Sequence, residues 1–136
     1  MGRWEELEHT ADLSIRVWGE SLADLFVTAA EGLTGLLAEA PGEVPLTTTE
    51  TLHLNAMDVE SLLVDWLNEL LFLSEGETLR VFVAFEIEAL SETALTARVR
   101  GGPVARFANY IKAATFHRLA VRQTETGYET TLVFDI

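Results

Sequence analysis

Oxygen and imidazole donors gather at two places in this chain: His9, Thr10 and Asp12 near its beginning, and Asp135-Ile136 at its last two positions. Asp135 brings a side-chain carboxylate, and Ile136, if it is the true C-terminus, brings an α-carboxylate one residue away. Two anionic groups so close repel each other unless water screens them or a cation sits between them. A hard divalent ion that takes oxygen ligands, Ca²⁺ or Mg²⁺, would satisfy both. A third signal is a scarcity: of nine basic residues eight are arginine, and Lys112 is the sole lysine. It marks a candidate position where a compact ammonium is used in place of a planar guanidinium fork.

Each of these signals has a plainer reading. A His-Thr-x-Asp run before a strand also has the composition of a turn in which Asp and Thr bond the local backbone, and by pattern alone the turn is the more economical of the two. His53 and His117 fall in expected strands and read as surface or core-edge residues, and Trp4, Trp18 and Trp66 read as packing. The chain has no phosphate-binding glycine loop, no Gly-x-Ser-x-Gly and no paired histidines of the zinc-hydrolase kind. With no cysteine, thiolate metal sites and disulfides are excluded, so any metal must be held by oxygen or imidazole.

The elements that must position these residues follow from hydrophobic period. Trp4 to Leu7 reads as a short strand, and Leu13, Ile15 and Val17 alternate with polar neighbours up to Gly19. Parity along that strand puts Asp12 on the face away from Leu13, Ile15 and Val17, and parity along the last strand puts Asp135 opposite Leu132, Phe134 and Ile136. If those two strands are neighbours, both carboxylates can meet one ion.

Ser21 is the expected N-cap of a first helix with Asp24 at its third position, and Leu22, Leu25, Phe26, Ala29, Leu33, Leu36 and Leu37 form its apolar face. Gly32 and Gly35 inside it each cost about 1 kcal/mol relative to alanine, which implies close packing by a neighbour. Thr47 to Asn55 reads as a strand, and Asp58 caps a second helix that Gly76 stops. Leu79 to Ile87 alternates, turns at Ser91 to Thr93 and returns as Leu95 to Arg100, where Gly101-Gly102-Pro103 is expected to break the run. Ile111 to Gln123 and Tyr128 to Ile136 read as a terminal pair of strands joined at Thr124 to Gly127.

Two helices among six or seven strands predict an α+β fold: a single two-layer domain, residues 1–136, with a mixed or antiparallel sheet on which the helices pack. The 136 residues are 49% apolar, enough for one buried core. The absence of a basic leader and of an apolar run near 18 residues predicts a soluble, cytoplasmic protein without a membrane partner. A net charge of −13 argues against direct, stable nucleic-acid binding.

The quoted motifs also carry a resemblance. EHTADLSIRVWGESLADLFVTAAEGL resembles the opening signature of the archease family, DVESLLVDWLNELLFL its second helix, IKAATFHRLAV its Ile-Lys-Ala-x-Thr-Tyr-His strand, and FDI its acidic terminus. The four motifs stand in order and span nearly the whole chain. The resemblance implies a non-enzymatic activator of the GTP-dependent RNA-splicing ligase of tRNA splicing, which promotes ligase guanylylation and multiple turnover. It implies ligase activation through Asp12, Lys112 and Asp135, and a divalent metal, Ca²⁺ foremost with Mg²⁺ or Mn²⁺ as alternatives, at Asp12, Asp135 and Ile136, with His9 and Thr10 shaping the turn. Phe116 stands where the family has tyrosine, and Asn109-Tyr110 where an acidic residue is expected. Two other readings stay open: a metal-dependent phosphoester hydrolase using Asp12, Asp135 and His9, and a general chaperone or adaptor of RNA-processing enzymes, which are possible further partners.

Overall fold

The alternating run that opens at Leu13 finds its hydrogen-bonding partner at the far end of the chain. In the computed structural model, which describes residues 2–8 and 12–136, the order is β1 (Arg3–Leu7), β2 (Leu13–Gly19), α1 (Leu22–Leu37), a single 3-10 turn (Pro41–Glu43), β3 (Thr48–Asn55), α2 (Val59–Ser74), β4 (Arg80–Leu90), β5 (Ala94–Pro103), β6 (Ala113–Thr115), β7 (Arg122–Thr124) and β8 (Gly127–Asp135). The strands form two sheets, and every pairing in them is antiparallel. The first sheet has the order β1-β2-β8-β6, with β7 also on β8. The second has the order β3-β5-β4. The fold is therefore α+β as expected, with the strands divided between two antiparallel sheets and no parallel pair among the described residues.

The caps that the sequence announces are in place. The Ser21 hydroxyl accepts from the Asp24 amide at 3.0 Å, and the Asp24 carboxylate accepts from the Glu20 amide at 2.8 Å, so two otherwise orphaned donors are satisfied at the start of α1. Asp58 does the same for α2, accepting from the Ser61 amide at 2.7 Å. The Ser61 amide, and then the Ser61 hydroxyl, favour the anion and hold the Asp58 carboxyl below its ordinary value.

Helix α1 is buried on more than an apolar stripe: Thr28, Gly32 and Thr34 are buried along with Leu25, Phe26, Ala29, Leu33 and Leu36. It packs against β2 of one sheet and β4 of the other, so it is covered from two sides and has little room for large polar residues. Its buried hydroxyl at Thr34 donates to the Phe82 carbonyl of β4 at 2.6 Å. The Trp66 indole of α2, fully buried, donates to the Phe26 carbonyl of α1 at 2.9 Å. A side chain at Gly32 would meet Ile15 and the Trp4 indole, and one at Gly35 would meet the six-membered ring of Trp4. The two glycines are thus the groove into which β1 lays its tryptophan.

Two expected boundaries move. Gly101-Gly102-Pro103 stays within β5 and pairs with β4 and with the residues that lead into β3. A Cβ at Gly101 would run into the Val81 backbone and one at Gly102 into Pro45, so these glycines allow close approach and do not end the strand. The stretch Ile111 to Gln123 is two three-residue strands, β6 and β7, separated by a turn in which the Leu119 amide bonds the Phe116 carbonyl at 3.0 Å.

The Trp4 contact predicts that Gly35→Ala destabilises the protein by about 1–3 kcal/mol in denaturant melts, because overpacking outweighs the gain in helix propensity. In a Trp4→Ala background the same change should be neutral or stabilising, a coupling that a double-mutant cycle measures. A second expectation concerns Glu31 on α1. Partial burial, and then the charge of Asp24, push its carboxyl above 4.5, so the folded state binds this proton more readily than the unfolded one and stability falls as pH rises from 4.5 through the raised value. Glu31→Gln should therefore raise the melting temperature at pH 7, and the difference should shrink as pH falls toward 4.5.

Candidate functional site

Strand β8 brings the chemistry-bearing residues together. Its ladder with β2 runs from Gly19↔Tyr128 to Leu13↔Phe134. Asp12 directly precedes Leu13, in a bend outside β2, and Asp135 directly follows Phe134, so the two acidic residues flank the last pair of that ladder. On the other side of β8, Ala113 pairs with Asp135, and the Lys112 amide donates to the Asp135 carbonyl at 2.8 Å. Asp135 is thus flanked at one strand spacing, about 4.8 Å, by the entry to β2 and by the segment that carries Lys112.

Geometry separates the expected residues into three groups. Asp12, half-buried, and Asp135, exposed, adjoin the same end of the β2–β8 ladder. Lys112 is exposed and tied to Asp135 through the main chain, but its ammonium makes no ion pair among the described residues, and it lies just outside β6. Ile136 is 54% exposed, not held on the core side with Leu132 and Phe134. The ladder ends at Asp135, so the next residue extends past the last element that could cover it. His9 and Thr10 lie outside the described residues. Among the described residues no three His, Asp or Glu side chains converge as a metal cluster.

One further atom belongs to this place. Ser14, the register partner of Val133, is completely buried, and its hydroxyl is the buried side-chain polar atom left without a hydrogen-bond partner among the described residues. It is two positions from Asp12 in the sequence. An orphaned hydroxyl of this kind costs about 1–3 kcal/mol. The carboxylates of Asp12 and Asp135, as oxygen donors, would suit a hard divalent cation and leave most of its six to eight positions open.

The segment that carries Lys112 is nearly devoid of regular structure, and side chains from the helices hold it. The Asn68 amide of α2 treats β6 as a strand would: its Oδ1 accepts from the Ala114 amide at 2.7 Å, and its Nδ2 donates to the Ala114 carbonyl at 3.3 Å. Asn109 donates to the Leu36 carbonyl at 2.8 Å, and the Ala108 amide bonds the Leu37 carbonyl at 2.7 Å, so the open C-terminal carbonyls of α1 are capped from 73 residues away. Glu60 of α2 accepts from the Val121 amide at 3.0 Å. Sequence reasoning missed these three anchors. The signal for Asn68 was a polar amide close to the apolar stripe of a strongly amphipathic helix.

Around this sheet end the exposed large apolar side chains are Tyr110, Phe116 and Ile136, all more than half exposed. They flank Lys112 and Asp135 in sequence. Exposed aromatics rimmed by charge are the composition of a protein-docking surface.

The fold is that of known small proteins. The solution structure of protein 1598 of Methanobacterium thermoautotrophicum superposes with a TM-score of 0.78 at 23% identity, covering 98% of each chain. The crystal structure of an archease from Thermotoga maritima, described as a possible chaperone, does so with a TM-score of 0.68 at 23% identity over 97% of this chain and 96% of that one. The sequence profile of the Archease protein family matches residues 4–136. The archease of Methanosarcina acetivorans is 34% identical over 98% of this chain and 96% of its own length, and that of Saccharolobus islandicus is 34% identical over the whole of both chains. The chain belongs to the archease family.

Asn68→Ala leaves the buried Ala114 amide without an acceptor, which should cost about 1–3 kcal/mol. Hydrogen exchange should then quicken at Lys112 to Thr115 well before it quickens in β2.

Proposed function

We propose that this protein is a non-catalytic activator of the GTP-dependent RNA-splicing ligase of tRNA splicing, acting through the sheet end formed by Asp12, Asp135 and Lys112. The observation that supports the proposal is the pairing of β8 with β2 and β6: Leu13, next to Asp12, is opposite Phe134, next to Asp135, and Ala113, next to Lys112, is opposite Asp135 on the other edge. In this reading Asp12, Asp135 and a main-chain oxygen of Ile136 hold a divalent cation, Ca²⁺ foremost with Mg²⁺ or Mn²⁺ as alternatives. The cation supplies charge neutralisation for a nucleotide phosphate. The protein's own residues do the rest: the carboxylates leave open positions toward the partner, Tyr110 and Phe116 dock against it, and the Lys112 ammonium faces phosphate or carboxylate as a point charge. A non-catalytic role accords with membership of the archease family. His53 is exposed on β3 of the second sheet, while Asp135 belongs to the first.

A second reading has its own observation. Phe72, 72% exposed on α2, lines an open groove with Glu75, Glu77 and Arg80, a surface that suits a chaperone or adaptor of RNA-processing enzymes. Under that reading Phe72→Ser, and not the acidic-site variants, would abolish function.

The discriminating measurement is single-turnover guanylylation of the cognate ligase at limiting metal. Asp12→Asn, Asp135→Asn and Lys112→Ala should each keep the circular dichroism spectrum of the parent and reduce stimulation to near the unassisted rate. Undiminished stimulation by all three would overturn the proposal. Metal dependence has a second readout. In chelator, Asp12→Asn should melt no lower than the parent, because it removes one of two neighbouring anions. In Ca²⁺ the order should reverse, with the parent gaining about 2.7 kcal/mol at a hundredfold excess over its dissociation constant.

A further inference from the structure

Cations are scarce here, and three of them converge. Of the eight arginines, Arg80, Arg98 and Arg106 pair with Glu50, Glu88 and Glu39 at 3.2–3.5 Å. Arg16, Arg118 and Arg122 pair with no carboxylate among the described residues, yet together they line one small concavity of about 170 Å³ on the outer face of the first sheet, with Glu129 and Thr131. Register explains the gathering: Arg16 is opposite Thr131 across the β2–β8 ladder, and Arg122 is opposite Glu129 across β7–β8. Arg118 comes from the turn between β6 and β7 and has a φ of 53°, the one non-glycine residue in the left-handed region among the described residues. That conformation is ordinarily left to Gly or Asn, so the backbone accepts strain where it adds a third guanidinium to the cluster. Trp18 holds the neighbourhood in place, with the Arg3 guanidinium 4.0 Å and the Arg16 guanidinium 5.8 Å from its ring centroid.

Three like charges around one depression repel each other, and a surface of 22 acidic residues offers carboxylates elsewhere to relieve them. Glu129 lies in the lining without coming within ion-pair distance of any of the three. The volume is below the roughly 300–1,000 Å³ of small-molecule sites, too small for a base or sugar and suited to a compact anion. Planar guanidinium forks with a hydroxyl beside them match tetrahedral phosphate oxygens. We propose that Arg16, Arg118, Arg122 and the Thr131 hydroxyl form a binding pocket for a single phosphomonoester, carried by a free nucleotide or by a phosphorylated strand end. The pocket is separate from the Asp12–Asp135 sheet end, and its argument does not depend on the ligase. A net charge of −13 still opposes the tracking of a long polyanion, which is why one terminal phosphate, and not a backbone, is the occupant.

The test is titration of the ¹⁵N-labelled full chain, following arginine Nε–Hε resonances, with adenosine monophosphate, adenosine, inorganic phosphate and sodium chloride at matched ionic strength. Saturable shifts at Arg16, Arg118 and Arg122 with the two phosphates and not with adenosine or chloride are expected. Arg118→Gly, which suits the local backbone, and the double change Arg16→Gln with Arg122→Gln should each weaken binding at least tenfold. Arg100→Gln, an exposed arginine on the other sheet, should leave it unchanged. Binding of adenosine monophosphate should weaken below pH 6 as the monoester loses its second charge. A hexanucleotide RNA with a 5′-phosphate identifies the source: tighter binding than the mononucleotide assigns the pocket to strand ends, and equal binding assigns it to soluble phosphates. Shifts no larger than with chloride, shifts spread evenly over all arginines, or equal binding of the dephosphorylated strand would each overturn the proposal.

Discussion

Both candidate sites in this molecule depend on one ladder, the antiparallel pairing of β2 with β8. It joins residues more than a hundred positions apart in the chain, and its far edge gives β6 and β7 the strand on which they form. Three-residue strands have no independent stability. They exist here because β8 offers hydrogen-bonding groups on both edges and because Asn68 and Thr115 add side-chain bonds where the ladder is short. The register of that one pairing therefore fixes the acidic sheet end and the arginine pocket together, and a slip by one residue would turn both to the wrong face.

Packing makes that register unique. Phe134, Leu132, Ile15 and Val17 are completely buried on one face, and α1 lies across them while its other side meets β4. Because the helix is enclosed by two sheets, it carries glycines and threonines where a surface helix would carry larger residues, and Trp4 fills the groove they leave. The position of β1, and with it Arg3 over Trp18, follows from the same packing.

The charge distribution divides the surface in a way that net charge conceals. Acidic residues dominate overall, yet the first sheet has carboxylates at one end and, further along, guanidinium groups that make no ion pair among the described residues. The two kinds of site are only a few residues apart along the chain: Asp12, just before β2, and Arg16 on it, and Asp135 and Thr131 on β8. At physiological salt, screening acts over about 8 Å, so neighbouring patches of opposite sign can each present their own field to a partner.

The sequence by itself determined the local structure: both helix caps, the alternating strands, the glycine groove and the family motifs, all of which rest on interactions within a few residues. It also marked Asp12, Asp135 and Lys112 by their chemistry. It did not reveal that the strands form two sheets, that Gly101 and Gly102 continue β5, that Ile136 is exposed, or that Asn68, Asn109 and Glu60 hold the segment around Lys112. Only the tertiary structure decided these, because each depends on a partner tens of residues away whose identity no local period encodes. The same holds for Ser14 and the three arginines. Nothing beside them in the chain distinguishes a buried hydroxyl from a solvated one, or a paired guanidinium from a free one, until the strands are laid side by side.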